Sequence, residues 1–159
     1  KREYDKAIAG FSEALKPDPD NVKILEARGL SYERKGQDDL AMADYDLALQ
    51  KRPNYPAPYN SRGTIHLRRG ALQSAIDDFS AAIKYDPKFL LPYTNRARVK
   101  TMNRDYDAAL ADFAKAAEID SKAPQIPIHR CVTYAAMGRF DEGLADCNAA
   151  LTRFSRPAT

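Results

Sequence analysis

Two histidines, two cysteines and a repeated pairing of arginine with aspartate are the residues of this 159-residue chain with the means to do chemistry. His66 and His129 are far apart in sequence, and neither has a Cys, His or acidic neighbour at the spacing that holds a metal ion. There is no glycine-rich phosphate loop, Gly-x-Ser-x-Gly elbow or His-Glu-x-x-His. The adjacent carboxylates Asp38-Asp39 and Asp77-Asp78 suit shared-proton work in principle, but helical patterning puts both on solvated turns without a pocket. These residues point away from an enzyme, and no catalytic, cofactor-binding or metal-binding position is assigned. Two cysteines are too few for a disulfide-built scaffold.

Composition narrows the partners. Net charge is +3, from 25 basic and 22 acidic residues interleaved along the chain. A nucleic-acid binder more often shows a clustered basic stripe, so no nucleic-acid partner is expected. No run of 18 apolar residues occurs, so no membrane insertion is expected either. The polar start, Lys1-Arg2-Glu3-Tyr4-Asp5, is not a signal peptide. Cytoplasm and periplasm both remain open, with the cytoplasm favoured.

The elements that position these residues come from a repeat of 34 residues. Pro19, Pro53 and Pro87 form one column, continued by Ser121 and Ser155. Gly36, Gly70 and Gly138 form another, with Arg104 in the missing slot. Phe11, Tyr45, Phe79 and Phe113 form a third, ending in Cys147, and Ala14, Ala48, Ala82, Ala116 and Ala150 a fourth. Each period reads as two amphipathic helices. In one, Ala75, Ile76, Phe79, Ala82 and Ile83 fall at the spacing of a single buried helical face. Proline after Asp86 stops that helix, and prolines such as Pro56 and Pro92 sit near helix starts, where a missing N–H costs nothing.

These columns resemble the tetratricopeptide repeat. The match includes an early aromatic in the first helix (Tyr59, Tyr93), a small residue four later (Gly29, Gly63, Ala97, Cys131) and a turn glycine. It continues with an aromatic opening the second helix (Tyr4, Tyr106, Phe140). Leu25 and Pro127 depart from the early aromatic and Asp38 from the helix opener. The resemblance implies an all-α superhelix of antiparallel helix pairs, about four and a half units forming one domain. Residues 1–21 would be the second helix of a truncated repeat. Full repeats would run over 22–55, 56–89, 90–123 and 124–157, with a short tail. A start in mid-repeat suggests a piece of a longer array, with open ends available for self-association.

Inside the repeat runs a charge pattern less usual for the family. Arg28, Arg62, Arg96 and Arg130 recur in first helices, and Asp44, Asp78, Asp112 and Asp146 follow each at a fixed spacing in second helices. The arrangement reads as an internal Arg–Asp ladder within each hairpin, in preference to a row of arginines offered to an acidic ligand. Cys131 and Cys147 occupy facing columns of the last repeat. They read first as two buried thiols behaving as small apolar residues, with a disulfide as the alternative if their Cα atoms lie within about 7 Å.

By resemblance, a groove lined by the first helices would hold a peptide or partner segment. The candidate lining is Asn60, Thr64, Leu67 and Arg68 in one repeat, Leu91, Thr94, Arg98, Thr101 and Met102 in the next, and Ile128 and Val132 in the last. Side chains there run from charged through polar to apolar. The polar or acidic part of a ligand would meet Asn60, Arg68 and Arg98, and an apolar anchor would meet Met102, Ile128 and Val132. Lysines that clamp a C-terminal carboxylate in some relatives are missing, since Glu26, Leu30 and Ala27, or Asn60, Thr64 and Asn95, stand at those sites. The expectation is a protein-interaction scaffold, the alternative a structural or spacer segment of a larger protein.

Overall fold

The computed structural model describes residues 2–154. Lys1, Ser155 and the rest of the tail to Thr159 lie outside the described residues. Among the described residues there are nine helices and no strand, in two compact units divided along the chain after Asp86.

The first unit holds α1 (Arg2–Ala14), α2 (Val22–Lys35), α3 (Asp38–Lys51), α4 (Pro56–Arg68) and α5 (Leu72–Tyr85). Local chemistry explains the boundaries. Asn21 caps α2 by accepting from the Ile24 amide, and Gly36 closes it with φ of 79°. At that angle the Gly36 and Gln37 amides reach back to the Glu33 and Tyr32 carbonyls at 2.9 Å each, as a left-handed closure requires. Pro56 opens α4 at a position whose amide would have no partner.

Close approach holds each hairpin together. A Cβ on Gly29 would stand 2.6 Å from the Tyr45 ring, and one on Gly63 2.7 Å from the Phe79 ring. The glycine is therefore required by the ring that fills the space across from it. Tyr45 and Phe79 are fully buried with Ala41, Ala48, Ala75 and Ala82. Removing such a ring would cost about 3–5 kcal/mol. Ile65 of α4 then shares a buried cluster with Ala41 and Tyr45 of α3, with Met42 packed against it, which joins one hairpin to the next.

The second unit holds α6 (Leu90–Met102), α7 (Tyr106–Ile119), α8 (Gln125–Ala136) and α9 (Phe140–Phe154). Its core is Ala97, Val99, Ala109, Phe113 and Ala116, all fully buried. The turn after α6 keeps the left-handed closure although it lacks glycine. Arg104 takes φ of 61°, and the amides of Arg104 and Asp105 bond back at 3.1 and 2.9 Å. In the last hairpin the sulfurs of Cys131 and Cys147 are bonded, with Cα atoms 5.0 Å apart. This corrects the reading of two free thiols: a covalent link stands where the earlier hairpins have a small residue against an aromatic ring.

Candidate functional site

Four arginines meet four aspartates. Arg28 donates to both oxygens of Asp44 at 2.8 and 2.6 Å, and Arg62 to both of Asp78 at 2.9 and 2.6 Å. Arg96 reaches Asp112 at 2.8 and 2.7 Å, and Arg130 reaches Asp146 at 2.6 Å twice. Each aspartate is a buried residue, 7% exposed or less, so the carboxylate side of each fork is largely dry. Hydrogen bonding to the aspartate is the largest cause holding the Arg28, Arg62 and Arg130 guanidiniums above their ordinary pKa, against the opposing effect of burial. In the first unit a further donor of each arginine looks backward along the chain. Arg28 reaches Ser12 at 3.2 Å and Arg62 reaches Asp46 at 2.7 Å. These guanidiniums are engaged within the scaffold by their paired aspartates. Asp78 is thereby a buried member of the ladder and not on a solvated turn.

In the first unit, the polar groups of the first-helix face largely satisfy one another. Arg68, expected to meet an acidic ligand, instead bonds Glu33 at 2.9 Å and Asp38 at 2.7 Å. Tyr45 donates to the other oxygen of Glu33 at 3.1 Å, and Tyr55 donates to Glu26. Burial, helped by Glu26, pushes the Tyr55 phenol up to about 12. Thr64 turns its hydroxyl back to the Asn60 carbonyl at 3.0 Å. Asn60, Thr64 and Leu67 are half-buried.

The second unit differs. Between α6 and α8 lies a cleft of about 290 Å³ lined by Arg98, Thr101, Met102, His129 and Val132. Met102 and Val132 are 61% and 56% exposed, an unusual outlay of apolar surface for two facing positions. Thr101 and Thr133 share a hydroxyl hydrogen bond at 2.8 Å across the two helices, which ties the floor together. His129 lies half-buried against the Phe113 ring, centroids 6.4 Å apart. Burial first, and the charge of Arg98 second, hold its imidazole below the ordinary pKa, so it is neutral at pH 7. Arg98 is exposed and makes no hydrogen bond or ion pair among the described residues.

Of the other candidates, Leu91 is exposed and Ile128 half-buried. Thr94 is only 2% exposed and gives its hydroxyl to the Leu91 carbonyl, so it is not available to line a groove. His129 was weighed only as a metal ligand from sequence. The signal that finds it is spacing: it precedes Val132 by three and Thr133 by four, which puts all three on one helical face. Among the described residues no cluster of His, Cys, Asp or Glu could hold a metal ion. No helix among them is long and apolar enough to cross a membrane.

A repeated hairpin with a small residue against an aromatic, closed by a left-handed turn, defines a class of helix-pair repeat proteins. The tetratricopeptide repeat family profile matches residues 1–56 and 60–124, and the chain belongs to that family. Solved structures agree on the fold. MamA superposes with a TM-score of 0.82 at 23% identity, over 96% of this chain and 89% of that one. YrrB, described as a TPR protein with an unusual peptide-binding site, gives 0.74 at 19% identity, over 95% and 78%. The first TPR of Spaghetti (RPAP3), bound to the HSP90 peptide SRMEEVD, gives 0.70 at 17%, over 74% and 93%. No curated protein matches the chain.

Proposed function

We propose that this chain is a protein-interaction scaffold whose second unit binds an extended peptide across α6 and α8. The observation that carries the reading is the cleft itself, where exposed Met102 and Val132 flank a cation that has no carboxylate partner among the described residues. An apolar side chain entering there would remove both from water, and such anchors supply most of the affinity in peptide grooves. Two proteins of the same fold are described as peptide-binding or peptide-bound, which supports the general role. The arginine ladder has no such opening, since its donors are engaged.

The test is selection of peptides from an unbiased library on the intact chain, followed by titration calorimetry. Val132→Glu should weaken the selected peptides by at least about tenfold, because it puts a buried charge beside the anchor. Val132→Glu binding as tightly as the unaltered chain would remove the cleft from the account. A second reading, a structural segment, draws support from α9, which exposes Phe140, Leu144 and Leu151 along one face at 57–68%. Concentration-dependent association abolished by Leu144→Glu and indifferent to Val132→Glu would favour it.

A further inference from the structure

Resting on the peptide reading, we propose that the cleft selects a segment carrying a carboxylate beside an apolar side chain, with Arg98 and His129 together receiving the carboxylate. The lining is asymmetric in a way that specifies this chemistry. Thr101 has its hydroxyl committed to Thr133 and the Ala97 carbonyl, so it offers little to a ligand. Met102 and Val132 offer only apolar surface. Arg98 and His129 are then the polar groups with capacity left over, and no acidic residue lines the cleft.

An unpaired guanidinium beside an apolar wall favours an anion that brings its own apolar neighbour. A carboxylate matches the planar fork and gains a charge-assisted hydrogen bond. One exposed cation flanked by methionine and valine is a poor match for a nucleic-acid backbone, which needs a row of positive charges.

His129 makes the affinity depend on pH. Among the described residues, Arg98 from α6 is the charged group that acts on it. α7 meets it with the uncharged Phe113 ring, and Arg130, its neighbour on α8, is engaged with Asp146 of α9. A carboxylate placed between Arg98 and His129 would offset the repulsion of Arg98 and favour the imidazolium. Peptide binding would then take up a proton, and it would tighten as pH falls from 8 to 6 while the peptide carboxylate stays ionised.

The experiment uses acetylated, amidated decapeptides selected on the intact chain, each compared with its Asp→Asn or Glu→Gln counterpart. The expected result is Asp or Glu adjacent to Leu, Met or Phe, with affinity falling about tenfold or more in the amide counterpart. Arg98→Ala should reproduce that loss and make acid and amide peptides bind alike. Affinity should rise about threefold or more from pH 8 to pH 6, and His129→Asn should flatten the rise. Asparagine is chosen because Asn95 holds the equivalent site one repeat earlier. Helical content and melting of each variant confirm that it folds.

Selected peptides without acidic residues, bound in a Val132-dependent way, would overturn this inference and leave the binding face intact. Preference for a phosphoserine over a glutamate would overturn it as well. Affinity unchanged between pH 8 and pH 6 would remove His129 from the carboxylate site. Absence of any Val132-dependent peptide would remove the underlying reading too.

Discussion

At the scale of single residues, the most consequential choice in this sequence is a buried aspartate. Asp78 is 5% exposed and accepts two bonds from Arg62, whose third contact is Asp46. Asp78→Ala should destabilise the fold by about 2–4 kcal/mol, because it strands a partly buried guanidinium. The joint change Arg62→Leu with Asp78→Tyr should cost far less, since no buried charge is then left unpaired and Asp46, which loses Arg62, is exposed to water. Denaturant melts measure both, and a double variant as damaged as Asp78→Ala would contradict the account. This pairing was accessible from sequence, because a fixed spacing across a hairpin sets two residues on facing helices. The fate of Arg68 was not. Its partners, Glu33 and Asp38, lie 35 and 30 residues away, and a groove position says nothing about which neighbours reach it first. Thr94 failed as a groove residue for a related reason: helical phase gives a direction, while burial depends on what stands opposite.

At the scale of elements, repeated columns made the hairpins legible. Gly29 and Gly63 are dictated by Tyr45 and Phe79, and glycine or Arg104 closes four turns with one geometry. The last hairpin breaks the column. There Cys131 and Cys147 close a loop with a separation of 16 residues. Facing cysteines pack acceptably as thiols or as a disulfide, so spacing alone did not decide between them. A loop of this length contributes about 3 kcal/mol through the unfolded chain. Reduction should therefore lower amide-exchange protection in α9, by about two orders of magnitude in the protection factors, and leave α7 nearly unchanged. Equal α9 protection with and without reductant would argue against it, as would two titratable thiols in the unfolded, unreduced protein.

At the scale of the whole molecule, each full hairpin repeats the Arg–Asp fork, and apart from the disulfide of the last one the differences that matter for binding lie on the first-helix faces. In the first unit that face is knitted together by Glu33, Asp38, Arg68 and Tyr45. In the second it opens into the cleft beside Arg98. A scaffold that fixes its core by columns leaves such positions free to specify a partner, which is why the family was legible and the ligand chemistry was not. The most direct measurement of the central claim is methyl NMR of Met102 and Val132 during titration with a selected peptide. The account predicts saturable shifts at both methyl groups, with the Ile65 and Leu25 methyls of the first unit's core unmoved. Saturable binding that leaves Met102 and Val132 unperturbed would contradict it.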